Sequence, residues 1–257
     1  MKHIRKLALG VVSACVMGMA PVASQAASIQ LGFVLDRSGS IGSSDWNVII
    51  DGLSSAIGSL IPVSGADTYE ISVVSFASSA SIDIQNFVVT DAAARTTLAT
   101  NIFNLGDGRS GDVYTGGGTC FSCAFSAMTT ALGPTIGAAD ASYVNFATDG
   151  VGDNGVAQRD ALIASGVDNI SIEGIGGGVN AALLQGSYCH PQPCDTTSPY
   201  NFPNQGFYIA VANAQEYAAA IRNKIQVVTG QVPEPGTLAL VGLALAGVGF
   251  TARRKAA

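Results

Sequence analysis

Asp36, Ser38 and Ser40 stand at alternate positions of Asp36-Arg37-Ser38-Gly39-Ser40, directly after the apolar run 29–35. An acid and two hydroxyls on one short loop are hard oxygen donors, the kind that Mg²⁺ takes together with water. Two more donors occupy comparable settings. Thr119 follows Gly116-Gly117-Gly118, and Asp149 lies in Thr148-Asp149-Gly150 behind another apolar run. A set rich in hydroxyls and poor in carboxylates leans toward Mg²⁺, although oxygen ligands alone leave Mn²⁺ and Ca²⁺ open. Other chemistries lack their parts. Past the leader the only histidine is His190, no G-x-S-x-G elbow exists for a Ser-His-Asp mechanism, and no H-E-x-x-H motif offers zinc ligands. Asp36 also lacks the second Asp two residues on that phosphoaspartyl transfer employs. The chain reads as a binding protein, not an enzyme.

These donors need a scaffold that brings separate loops to one rim. The run 29–35 is a compact strand, and Trp46, Ile49, Ile50, Leu53, Ile57 and Leu60 recur at helical spacing, with Ser43 or Ser44 available as N-cap. Segments 69–76 and 81–89 read as two strands joined antiparallel through the turn 77–80. A helix over 91–103, a Gly-rich loop over 106–112 and a helix carrying Phe121, Phe125, Met128 and Leu132 follow. The second half alternates again: strand 143–147, helix 156–164, strand 170–175, a short helix ending near 184, strand 207–211, and helix 214–225. Asn213 and Glu216 open that last helix in the pattern of a capping box. Such alternation predicts an α/β fold, a doubly wound and mostly parallel sheet with one antiparallel edge strand and helices on both faces. Ligands of such sheets collect at the carboxyl ends of the strands, where strand order reverses. Asp36 and Asp149 both follow strands there. Thr119 would open a helix, and the preceding glycines allow φ > 0 and close backbone approach.

D-x-S-x-S, a threonine behind a Gly-rich loop and T-D-G after a later strand, in this order, resemble the metal-ion-dependent adhesion site of von Willebrand factor A domains. The resemblance covers about residues 29–228. It implies that Ser38, Ser40 and Thr119 give hydroxyl oxygens while Asp36 and Asp149 bind directly or through water. An open coordination position would take a carboxylate from a protein partner. The alternative within the same fold is a structural component of an extracellular polysaccharide matrix, with the cation mainly stabilising. Cys120 beside Thr119 departs from the small or amide residue of many relatives, and the stretch 185–205 is a longer insertion than the family pattern leads one to expect. That insertion is either a recognition loop or a disulfide-pinned surface loop.

Both ends of the chain look like targeting segments. Lys2, His3, Arg5 and Lys6 precede the apolar stretch 7–22, and Ser24-Gln25-Ala26 offers a cleavage site, so residues 1–26 read as a secretory signal peptide. A lipoprotein box at Val12-Ser13-Ala14-Cys15 is the rival. At the far end Pro233-Glu234-Pro235 precedes the apolar run 238–250 and then Arg253-Arg254-Lys255. A helix over 237–251 would be roughly 22 Å long against a hydrocarbon core of ~30 Å, short for a permanent span. This order resembles the PEP-CTERM sorting signal of exopolysaccharide-producing Gram-negative bacteria. It implies transient anchoring in the inner membrane, cleavage by an exosortase, and release or attachment at the cell surface. An ordinary tail anchor is the rival there. The body between, 27–230, is one domain's worth of chain.

All 18 acidic residues fall between Asp36 and Glu234, against only Arg37, Arg95, Arg109, Arg159, Arg222 and Lys224. The body is therefore more acidic than the whole-chain charge of −6 suggests. It has no basic cluster for phosphates, which disfavours nucleic acid. Its four cysteines, Cys120, Cys123, Cys189 and Cys194, form an even set in an exported chain, which argues for disulfides. Closeness in sequence favours Cys120–Cys123 and Cys189–Cys194, while a C-x-x-C redox pair and a four-cysteine zinc site are the other readings.

Overall fold

A computed structural model describes residues 26–111 and 113–230. The signal peptide up to residue 25 and the tail residues Pro233, Glu234, Pro235, Arg253 and Arg254 lie outside the described residues, as does the apolar run 238–250. Among the described residues no helix is long and apolar enough to cross a membrane.

Six strands form one sheet: β1 (Ser28–Asp36), β2 (Thr68–Phe76), β3 (Ala80–Val89), β4 (Ala141–Thr148), β5 (Asn169–Ile175) and β6 (Tyr208–Val211). Their order is β3-β2-β1-β4-β5-β6, with every pairing parallel except β2 with β3. The chain winds outward from β1 to β2 and then returns to place β4 on the other side. Strand order thus reverses between β1 and β4, where neighbouring strand ends diverge and leave a crevice. The antiparallel edge strand is the hairpin that the turn 77–80 predicts.

The helices are α1 (Gly42–Leu60), α2 (Ala92–Phe103), α3 (Phe121–Leu132), α4 (Val156–Ala164), α5 (Ala181–Ser187) and α6 (Ala214–Val228). The period-two alternation of β1 divides the core between two faces. Leu31, Phe33 and Leu35 join Trp46, Ile49, Leu53, Leu98, Tyr217 and Ile221 from α1, α2 and α6. Val34 joins Phe121, Phe125, Met128, Leu162 and Leu184 from α3, α4 and α5. On that second face Phe121, Phe125, Phe146 and Tyr188 pack ring against ring, with centroids 4.9–5.6 Å apart for the Phe121–Phe146, Phe125–Phe146, Phe121–Tyr188 and Phe125–Tyr188 pairs. This cluster fixes the start of α3, and hence the position of Thr119 two residues before it. On the first face Gly52 lets α1 and α6 cross closely, since an added Cβ would lie 3.0 Å from Ala218 Cα.

One local expectation needs correction. Helix α1 begins at Gly42, after Ile41, and neither Ser43 nor Ser44 caps it. The Gly42 N–H instead donates to the Tyr114 hydroxyl at 2.9 Å, so a remote side chain satisfies an N-terminal amide. Elsewhere the local signals hold: Asp91 and Asn213 accept from Ala94 N–H (2.8 Å) and Glu216 N–H (3.1 Å) as N-caps of α2 and α6.

The insertion 185–205 covers the edge of the sheet. His190 exchanges backbone hydrogen bonds with Ile170 (2.8 and 2.9 Å), Asp195 pairs with Phe207, and Asn169 donates to the carbonyls of Pro203 and Gln205. Tyr200 and Phe202 pack on Phe207, and Phe202 also meets Tyr143. Because β6 is only four residues long, the lower half of β5 would otherwise present unpaired backbone. The disulfide Cys189–Cys194 closes the start of this cover. His190 serves it through its main chain.

Candidate metal centre

The β1–β4 crevice gathers all five oxygen donors. Asp36 is the last residue of β1 and only 1 % exposed, as is Ser38. Asp36 Oδ1 accepts from Ser38 N–H at 2.8 Å, which turns the chain sharply so that the 38 and 40 hydroxyls come together at 3.1 Å. Its other oxygen accepts from Thr148 Oγ1 at 2.6 Å, linking β1 to β4 across the switch point. Ser40 Oγ donates to Asp149 Oδ1 at 2.8 Å. Thr119 reaches the same place from the third loop: a Cβ placed on Gly150 would lie 3.5 Å from Thr119 Oγ1 and 4.0 Å from Ser40 Oγ. Glycine at 150 therefore keeps a bulky group out of the space that these hydroxyls share.

Hydrogen bonds tie the serine loop to the Gly-rich loop, and the Gly-rich loop to the turn between β2 and β3. Gly39 N–H donates to Gly117 O at 2.8 Å, Gly118 N–H to Ser78 Oγ at 2.7 Å, and Cys120 N–H to Ala77 O at 2.8 Å. Gly117 has φ +113°, a conformation open to glycine and strained for other residues. The disulfide Cys120–Cys123 spans the first turn of α3 beside Thr119, and Cys120 Sγ accepts from Cys123 N–H at 3.2 Å. Tyr114 braces the serine loop from outside, donating through its hydroxyl to Ser38 O while accepting from Gly42 N–H.

Thr148 and Tyr114 are residues whose role the sequence reading missed. Thr148 stands inside the T-D-G motif but only the register of β1 on β4, Leu35 beside Ala147, carries it to Asp36. For Tyr114, a lone aromatic in a loop of Gly, Ser, Asp and Thr was the available signal.

The electrostatics suit a cation. Burial is the largest influence on Asp36 and pushes its carboxyl above the ordinary range; hydrogen bonds from Ser38 and Thr148 pull it back, and the charge of Asp149 pushes it up again. Asp149 is likewise raised, chiefly by burial, with Ser40 opposing and Asp45 adding to the effect. A buried Asp36 carboxylate with the half-buried Asp149 carboxylate beside it is costly as a pair of anions. A divalent cation between them would offset both costs, and three hydroxyls would complete an oxygen shell without adding charge. Among the described residues no three His, Cys, Asp or Glu side chains cluster as ligands, so hydroxyls are indispensable to such a site.

Comparisons with known proteins agree with this architecture. A family model described as von Willebrand factor type A domain matches residues 30–187, more than half of the chain. A second, described as PEP-CTERM protein-sorting motif, matches residues 231–255. A search of the curated proteins finds no match. Among solved structures, proximal thread matrix protein 1 from the mussel byssus, with a zinc-occupied MIDAS motif, aligns with TM-score 0.56 at 15% identity over 79% of this chain and 48% of its own. The von Willebrand domain of the type V pili tip protein Mfa5 from Porphyromonas gingivalis aligns with TM-score 0.55 at 11% identity, covering 82% of this chain and 98% of its own. The chain spans about half the length of the mussel protein. At these identities the likeness concerns the fold.

Proposed function

Because the chain belongs to the von Willebrand factor type A domain family, we propose that its body, residues 27–230, is an exported adhesion or binding module that depends on a divalent cation. Asp36, Ser38, Ser40, Thr119 and Asp149 would hold Mg²⁺, or Mn²⁺ or Ca²⁺ in its place. Once bound, the cation supplies a Lewis-acidic position for an acidic oxygen of a partner. The remaining work belongs to the protein. Thr148 fixes one Asp36 oxygen, Ser38 N–H fixes the other, and Ser40 orients Asp149. The observation that carries the reading is this convergence of a buried carboxylate, a half-buried one and three hydroxyls at the β1–β4 switch point.

The sorting motif at 231–255 supports export to the surface of a Gram-negative cell, with an exosortase acting at the inner membrane. Ser28 pairs with Thr68 at the start of the sheet, and Thr229 borders the same end, lining a cleft with Asp67 and Tyr69. A body tethered through its C-terminal segment would therefore present the crevice away from the tether.

The test is capture of partners from the producing cell's extracellular matrix, with and without EDTA, using wild type and Asp36→Ala. Loss of capture in EDTA and in the variant, with the variant melting like wild type when both are in EDTA, supports the adhesion role. A variant that still captures its partner but melts earlier only when cation is present points to a matrix component stabilised by its metal. Mass spectrometry of the exported form addresses processing: an intact Arg253-Arg254-Lys255 tail would overturn the sorting proposal.

A further inference from the structure

A second cleft adjoins the crevice, and its lining differs from that of an ordinary protein-docking surface. It has a volume of roughly 520 Å³, within the ~300–1,000 Å³ span of small-ligand sites. Arg37, the residue between Asp36 and Ser38, forms one wall. Gly116 and Gly117 form another, and Gly117 is the residue whose carbonyl holds Gly39. The cleft and the five-donor site therefore share walls. Among the described residues Ser75, Ser78, Ser79, Ser81 and Thr115 supply the rest of its polar lining, and Val113 is the one large aliphatic side chain.

Hydroxyls both donate and accept, as sugar hydroxyls do, so a surface of this kind pairs with either sense of a polyol hydrogen bond. It lacks the buried aromatic or aliphatic pocket into which a protein partner's anchor residues insert. Ser75, only 1 % exposed, lies at the back of the cleft, where its hydroxyl helps to hold the buried Asp83 carboxyl group. Arg37 is held over the Trp46 ring, 5.4 Å from its centroid, and donates to Val113 O at 2.9 Å, so its guanidinium is pre-positioned at the cleft.

We infer that the cleft bounded by Arg37, Ser75, Ser79 and Thr115 is a subsite for an acidic glycan, which places a uronate carboxylate at the neighbouring cation and the hydroxyls of its sugar rings against these side chains. This rests on the metal reading above. It adds the class of partner, a polyuronate chain in preference to an acidic protein.

Titration calorimetry of the exported body in Mg²⁺ tests it, with acetate, trigalacturonate and a Gly-Asp-Gly peptide as probes. Trigalacturonate should bind about tenfold more tightly than acetate, the worth of one or two additional net hydrogen bonds. Ser79→Tyr, a bulky change at an exposed position of the lining, should erase that advantage while leaving acetate binding and the cation-induced rise in melting temperature unchanged. Ser79→Ala with Thr115→Ala should reduce it severalfold without filling the cleft. Equal affinity for acetate and trigalacturonate overturns the inference and leaves the metal site standing. So does an advantage that survives Ser79→Tyr, or a peptide that binds as well as the sugar. If the protein takes up no cation at all, the metal reading falls and takes this inference with it.

Discussion

Replacing Asp36 with Asn should matter little without cation and cost most of the cation-induced stability with it. In EDTA the carboxylate of Asp36 is nearly buried and faces Asp149, so neutralising it removes a desolvation cost. The amide nitrogen, however, cannot accept the 2.6 Å hydrogen bond from Thr148, a charge-assisted bond worth about 1.5–3 kcal/mol. The two effects oppose each other, and we expect a net change within about 1 kcal/mol. With cation at a hundred times its Kd, wild type gains about 2.7 kcal/mol from RT ln(1 + [L]/Kd). For a domain of this size, at ~2–4 °C per kcal/mol, that is a rise of roughly 5–11 °C. The variant, having lost the buried carboxylate of the proposed site, should gain little. Differential scanning calorimetry of both proteins, in EDTA and in millimolar MgCl₂, reads all four values. An equal cation-induced rise in the variant would refute the placement of the ion at Asp36, and no rise in wild type would refute the site.

Three further outcomes are expected. Lys224 and Glu173 form a buried pair, 3.3 Å apart and 3 % and 0 % exposed, so Lys224→Met strands a buried carboxylate; it should cost about 3–5 kcal/mol in urea unfolding at pH 7, with Glu173→Gln in the same chain recovering much of that loss. Burial, opposed by Glu173, lowers Lys224 to about 8 from an ordinary value of 10.5. The unfolded chain therefore holds more protons than the fold between those values, and this group's contribution to stability should rise with pH there, by at most about 1.4 kcal/mol per unit. Above pH 10 the buried Tyr217 hydroxyl, raised chiefly by burial, opposes it, since the unfolded chain releases that proton first. A pH series of unfolding free energies should show the rise in wild type and lose it in Lys224→Met. Tyr114→Phe removes the hydroxyl shared by Ser38 O and Gly42 N–H; we expect about 1–3 kcal/mol of destabilisation and severalfold weaker Mg²⁺ uptake by calorimetry, and unchanged uptake would show the brace to be dispensable.

The elements were legible in the sequence because each has its own period. The compact apolar run of β1, the β-branched and apolar run of β2 and the helical recurrence of Trp46, Ile49, Leu53 and Ile57 required no knowledge of neighbours. Errors fell at places governed by distant contacts. Helix α1 begins where Tyr114, seventy-two residues away, supplies a hydrogen bond, and no local window holds that information. The insertion 185–205 could be recognised as long and proline-rich. Its task of covering β5 beside a four-residue β6 depended on strand length and pairing.

By itself the sequence determined which atoms could serve a hard cation, because Asp36, Ser38, Ser40, Thr119 and Asp149 are oxygen donors whatever surrounds them. It also determined the alternation that makes a parallel sheet, and the close spacing of each cysteine pair. Tertiary structure decided that the three loops meet, through the parallel register that sets Leu35 beside Ala147 and brings Thr148 to Asp36. It alone decided that Asp36 is buried and Asp149 half-buried beside it, and that a hydroxyl-lined cleft opens next to them. Donor chemistry is a property of single residues, whereas convergence and desolvation exist only between segments far apart in the chain.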